Sequence, residues 1–146
     1  MFSLDNRGMR HLLPLQTWPL LQSAPAESTP NVAPLFIDVR MEVEMLYVGC
    51  PPGIEHVCWY EYPELTPNAD AFSARVLQLA DGHKERTVIL LCRSGQRSVH
   101  AGLALELQGF TDVVNLLHGF EGDLDDHGHR STVNGWRFDG LPWQQI

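Results

Sequence analysis

The sequence predicts an α/β domain built on a central, mostly parallel sheet of about five strands with helices on both faces. Three observations carry that reading. Leu35-Phe36-Ile37-Asp38-Val39, Thr87-Val88-Ile89-Leu90-Leu91 and Val113 to Leu117 are short, nearly continuous apolar runs, the pattern of strands covered on both sides. Segments with helical periodicity lie between them, ending at Asp81-Gly82 and at Gly109. Strand and helix alternate, which is the order that feeds a parallel sheet.

The elements follow in chain order. Residues 1–34 read as an extended lead-in with a short helix near Trp18 to Gln22, for which Thr17 is a suitable N-cap, and then a loop over 23–34 rich in Ser, Pro, Ala and Thr. Arg7 and Arg10 before the apolar Leu12 to Leu21, with Ala24-Pro25-Ala26 after it, resemble a secretion signal. Pro14, Gln16, Trp18 and Pro19 interrupt that stretch, so it reads as lead-in to the same domain. After the first strand, Arg40 to Leu46 fits a short helix, Gly49-Cys50-Pro51-Pro52-Gly53 a turn, and Ile54 to Tyr60 a further strand. Asn68 caps a helix running to about Ala80, with Phe72, Val76, Leu79 and Ala80 on its apolar face. A second helix runs from about Gln96 to Gln108, with Val99, Leu103, Leu107 and Phe110 placed on its inner side.

Composition narrows the function classes. The 146 residues suffice for one domain with a true core. A formal net charge of −8 without a basic stripe argues against nucleic-acid binding, and no apolar run approaches the ~18 residues of a membrane span. Three widely spaced cysteines, Cys50, Cys58 and Cys92, do not form a disulfide framework, which points to a reducing, cytoplasmic setting.

The chemistry concentrates in Cys92-Arg93-Ser94-Gly95-Gln96-Arg97. A cysteine stands at a strand end, a small donor-rich loop follows, and a helix begins. Sites in parallel sheets form at the carboxyl ends of strands. Backbone N–H groups of 93–97, a helix N-terminus and the flanking Arg93 and Arg97 are the surroundings that favour a thiolate and hold an anion beside it. Gly95 supplies an unusual backbone angle, and Ser94 and Gln96 add side-chain donors. Most strand-end cysteines are inert apolar fillers; the whole constellation argues for a functional Cys92, the nucleophile or carrier of a group that stays negative.

The segment Leu91-Cys92-Arg93-Ser94-Gly95-Gln96-Arg97-Ser98 resembles the active-site loop of rhodanese-like sulfurtransferases. Phe36-Ile37-Asp38-Val39-Arg40, with Glu42 and Glu44 after it, is similar to the family's "IDVR" strand. Gly49 to Ile54 is similar to its "GHIPGA" turn, and Trp136-Arg137-Phe138-Asp139-Gly140-Leu141-Pro142 to its closing "W-x-x-x-G-L-P". These marks fall in the family's order over about residues 35 to 143. The resemblance implies a rhodanese-like domain over 35–146. It also implies Cys92 as catalytic nucleophile, and Arg93, Ser94, Gly95, Gln96 and Arg97 as substrate-binding residues. The expected cycle takes sulfur from a small anionic donor such as thiosulfate, forms a persulfide on Cys92, and passes the sulfur to a thiol, cyanide or protein acceptor. It needs no cofactor and no metal.

Two departures stand out. Cys50 replaces the turn's usual His, with passive packing expected and a resolving thiol as the sharper alternative. An insertion at about 123–135 carries Asp123, Asp125, Asp126, His127 and His129; a solvated loop is expected rather than a metal site, in a position to influence acceptor choice. Three other functions compete. A sulfur-relay or binding module with little turnover keeps the same cysteine. Cysteine phosphatases and arsenate reductases share the cradled thiolate, but the phosphatases place five residues before the loop Arg, against four between Cys92 and Arg97 here.

Overall fold

The computed structural model describes residues 8–23 and 33–146, so Ala24-Pro25-Ala26 and most of the 23–34 loop lie outside the described residues. Five strands form one sheet: β1 (Arg10–Leu12), β2 (Leu35–Asp38), β3 (Glu55–His56), β4 (Val88–Leu91) and β5 (Val113–Leu116). Their order is β1-β5-β4-β2-β3, and every pairing is parallel. Among the described residues three α-helices accompany them: α1 (Pro14–Gln22), α2 (Ala69–Leu79) and α3 (Arg97–Leu107).

The period-two alternation of a strand divides the core into two. Leu35, Ile37 and Val39, with Val88, Leu90 and Cys92, pack with Phe72, Val76, Ala101 and Leu105 from α2 and α3. On the opposite face Leu91 and Leu116 meet Phe120, Trp136 and Leu141, joined by Trp18 and Leu21 of α1. Trp136 is fully buried, its indole N–H donates to the Pro142 carbonyl at 2.8 Å, and Trp18 packs edge-on against it at 5.8 Å. Among the described residues no helix is long and apolar enough to cross a membrane.

The lead-in differs from its expectation. Arg10–Leu12 is an edge strand on β5, in register His11 with Asn115; three residues are too short to display a period. The helix after it starts a turn earlier than expected. Pro14 presets the first helical φ, so Thr17 lies inside α1, buried, with its hydroxyl donating to the Leu13 carbonyl at 2.9 Å. The helix expected over 40–46 is instead a π-helical turn at Glu44–Val48. The strand expected over 54–60 keeps only two residues, because β2 ends at Asp38; beyond it Val57 and Trp59 donate singly to the Asp38 and Val39 carbonyls.

Asn68 caps α2 as expected, its side chain accepting from the Ala71 N–H at 3.0 Å, and the helix buries Phe72 and Val76. α3 turns a different face inward. Ser98, Ala101, Gly102, Ala104 and Leu105 are buried, while Leu103 and Leu107 are 49% and 88% exposed. Small residues win because the helix lies close to the sheet: a Cβ on Gly102 would stand 3.1 Å from the Val113 side chain and 2.6 Å from Met9.

Candidate active site

Cys92 follows β4 directly. The alternation that sends Val88 and Leu90 toward α3 sends its side chain there too, where the residue is 1% exposed. The chain then turns through 93–96 and enters α3 at Arg97. The Gly95 N–H donates to Cys92 Sγ at 3.0 Å, and Ser98 Oγ, in the first turn of α3, lies 3.2 Å from the same sulfur. Gly95 has φ 95°, and a Cβ there would stand 3.1 Å from the His118 nitrogen, so both conformation and space call for glycine. Among the described residues, Gly95 supplies the one backbone N–H that reaches the sulfur.

The turn after β5 forms a wall of the loop. The Phe120 and Glu121 N–H groups donate to the Cys92 and Arg93 carbonyls at 2.8 and 2.9 Å. A Cβ on Gly119 would collide with the Cys92 carbonyl. The loop is therefore held from outside by backbone, and its own side chains stay clear of that task.

The two loop arginines have different fates. Arg97 is gripped by Glu44 through two hydrogen bonds of 2.7 and 2.8 Å, and its guanidinium lies 5.4 Å from the Tyr60 ring centre. Burial works against both charges. The mutual hydrogen bonds and attraction outweigh it, holding the Glu44 carboxyl below its ordinary 4.5 and raising the affinity of Arg97 for its proton. Arg93 and Gln96 are exposed and Ser94 is half-buried. Among the described residues these three side chains make no bond to Cys92 Sγ.

Three further residues join the site that the motif did not point to. Ser98 is fully buried and its hydroxyl meets Asn115 Oδ1. Asn115 is 1% exposed; its amide nitrogen lies 3.1 Å from His11 Nδ1 and donates to the Gly95 carbonyl at 3.3 Å. A polar residue inside the apolar run Val113-Val114-Asn115-Leu116 was the available signal. His11 had none, because its strand was not legible.

The other cysteines stand apart in character. All three are free. Burial, with the Asp38 charge, pushes the Cys50 thiol up, and burial with Glu61 does the same for Cys58. Cys50 is tied by its backbone to Gln144 at 3.0 and 2.9 Å. In the 123–135 stretch Asp125 is the hub: its carboxylate accepts from the His127 and His129 N–H groups at 2.8 and 2.9 Å and from the Thr132 hydroxyl at 2.7 Å. Among the described residues no group of three His, Cys, Asp or Glu side chains is placed to hold a metal.

An all-parallel sheet of this order, with a cysteine loop at the carboxyl end of its central strand, defines the class. Residues 23–125 match the rhodanese-like domain, and the chain belongs to that family. A protein of Rickettsia prowazekii, itself uncharacterized, is 30% identical over 108 residues, covering 74% of this chain and 80% of its own. The crystal structure of Rv0390 from M. tuberculosis is 38% identical, with a TM-score of 0.73 over 93% of this chain and 97% of that one. A polysulfide-sulfur transferase homodimer from Wolinella succinogenes shares the fold at 21% identity, TM-score 0.56, over 94% and 80% of the two chains.

Proposed function

We propose that the protein is a sulfurtransferase that carries a sulfane sulfur as a persulfide on Cys92. The observation that supports this most is the placement of Cys92 Sγ, 3.0 Å from the Gly95 N–H inside a four-residue loop that opens α3. That ring accommodates one added sulfur better than a tetrahedral phosphate. The Cys92 thiolate attacks the outer sulfur of thiosulfate; the S–S bond breaks and sulfite leaves with its electron pair. The persulfide then gives its outer sulfur to a thiol, cyanide or protein acceptor, and the thiolate returns. This is two-step covalent catalysis with ping-pong kinetics. With Arg97 neutralised by Glu44, Arg93 is the loop cation left to meet an anionic donor. The Wolinella neighbour makes polysulfide a donor to try beside thiosulfate. Neither metal nor cofactor enters the cycle, and three free cysteines suit a cytoplasmic setting.

A second reading, a sulfur-relay module with little turnover, is favoured by the burial of Cys92. Mass spectrometry after exposure to donor, run beside steady-state transfer, decides between them. The enzyme gains one sulfur on Cys92 and turns over; a relay gains it without turnover. Cys92→Ser abolishes both, and residual transfer in that variant would refute Cys92 as the carrier. Hydrolysis of an aryl phosphate without sulfur transfer would point to a phosphatase.

A further inference from the structure

A row of polar groups leads from exposed His11 at the sheet edge through buried Asn115 and Ser98 to the reactive sulfur, and its donors and acceptors can be counted. His11 on β1, Asn115 on β5 and Leu90 on β4 stand in one register row, with Cys92 two residues beyond Leu90 on the same face. Asn115 uses its two N–H bonds on the Gly95 carbonyl at 3.3 Å and on His11 Nδ1 at 3.1 Å. Its oxygen accepts the Ser98 hydroxyl. A hydroxyl has one hydrogen, so Ser98 has none left for Cys92. The 3.2 Å contact between Ser98 Oγ and Cys92 Sγ is therefore made by the thiol S–H donating to Ser98.

Once Cys92 loses that proton, or carries a second sulfur, no hydrogen remains between Sγ and Ser98 Oγ. A lone pair would then face an electron-rich sulfur in a fully buried site. The chain can be reversed. Rotating the Asn115 amide by half a turn makes its nitrogen the donor to Ser98 Oγ, and the Ser98 hydroxyl then donates to Sγ. The Asn115 oxygen meets His11 Nδ1, which must now carry hydrogen, and the Gly95 carbonyl gives up its bond. His11 is exposed, so solvent can supply the other imidazole tautomer.

We propose that His11, Asn115 and Ser98 are positioning residues forming a reversible hydrogen-bond chain, which offers Cys92 an acceptor while it is a thiol and a donor once its proton has left. The proposal rests on Cys92 being the reactive thiol. Other groups around the chain are Arg97 with Glu44 from the π-helical turn, Arg93 of the loop and Tyr60 beyond β3. On the β5 side stand His118, 3.6 Å from Asp123, and the Arg10–Asp112 ion pair at 3.0 Å.

The test is the pH profile of Cys92 alkylation by iodoacetamide, in chains that keep Cys92 and carry Cys50→Ser and Cys58→Ser. Ser98→Ala raises the midpoint by about one pH unit, a roughly tenfold loss of rate below it. Asn115→Asp, whose carboxylate can only accept, raises it at least as far. His11→Ala shifts it less, in the same direction, and Ser98→Thr restores the parent profile. Unchanged midpoints in Ser98→Ala and His11→Ala, with thermal unfolding intact, would overturn the chain. Should Ser98→Ala fail to fold, exposed His11→Ala together with Ser98→Thr decides: a parent-like His11→Ala profile, or a Ser98→Thr profile shifted like a loss of the hydroxyl, would sink it. Alkylation needs no sulfur donor, so variants that shift these midpoints in a protein that transfers no sulfur would keep the hydrogen-bond chain and overturn the sulfurtransferase reading alone.

Discussion

Arg40–Asp38 and Arg97–Glu44, two of the arginine–carboxylate pairs at the carboxyl end of the sheet, differ in what surrounds them. Arg40 and Asp38 are both 0% exposed; the guanidinium bonds Asp38 at 2.9 and 2.7 Å, then the Gly49 carbonyl at 2.6 Å, and lies 4.6 Å from the Phe120 ring centre. Arg97 and Glu44 make the same fork, but their side chains are 15% and 14% exposed and stand beside the Cys92 loop. The sealed pair ties the end of β2 to the turn at Gly49 and so holds the frame. The open pair joins the start of α3 to the π-helical turn and so sets the charge beside the sulfur. Identical chemistry serves structure in one place and the site in the other, because only one of them borders the loop.

Breaking the sealed pair gives the largest effect. Asp38→Ala leaves a buried, uncompensated guanidinium and costs about 3–5 kcal/mol of stability, read as a lower denaturant midpoint. Glu44→Gln costs less, about 1.5–3 kcal/mol, since Arg97 keeps some solvent. Under the proposed sulfurtransferase function its greater consequence is functional: the freed Arg97 charge favours a dianionic donor, and KM for thiosulfate falls. Equal destabilisation by the two changes, with no change in KM, would erase the distinction between frame and site.

Acid sharpens the contrast by a smaller margin. The Glu44 carboxyl is held below its ordinary 4.5, so its contribution is complete above that value and is lost as pH falls through the lower, folded-state value. Stability of the parent therefore drops at that step, and Glu44→Gln lacks it. A titration of denaturant midpoints down to pH 3 measures the difference. The smallest effect belongs to the inserted loop. Asp125→Ala frees three donors in a surface turn; it lowers the melting temperature slightly and leaves persulfide formation on Cys92 unchanged. If the loop guides acceptors, replacing residues 124–133 by a short Gly-Ser linker changes the ranking of acceptors more than the rate of loading.

The legible parts of this protein were those whose reasons are local. Leu35 to Val39, Val88 to Leu91 and Val113 to Leu116 announce buried strands through continuous apolar character, and Asn68 announces a helix start through its own side chain. The order Cys92, Gly95, Arg97 and then helix was readable for the same reason, since a strand end, a glycine turn and a helix entry are neighbours in the chain. What was not legible depends on distance in space. β1 is a strand because β5 presents an open edge, not because three residues prefer to extend. α3 hides Ala101, Gly102 and Ala104 because it sits tight on the sheet, and hydrophobicity alone favoured Leu103 and Leu107.

The same division runs through the site. The amino-acid sequence by itself determined that Cys92 would meet a glycine loop and a helix N-terminus. Only the tertiary structure decided that Glu44, 53 residues away, would take the charge of Arg97, and that His11, Asn115 and Ser98 would line up beside the sulfur. Backbone propensity acts within a few residues. Charge pairing and buried hydrogen bonds answer to whatever the folded chain brings within about 3 Å.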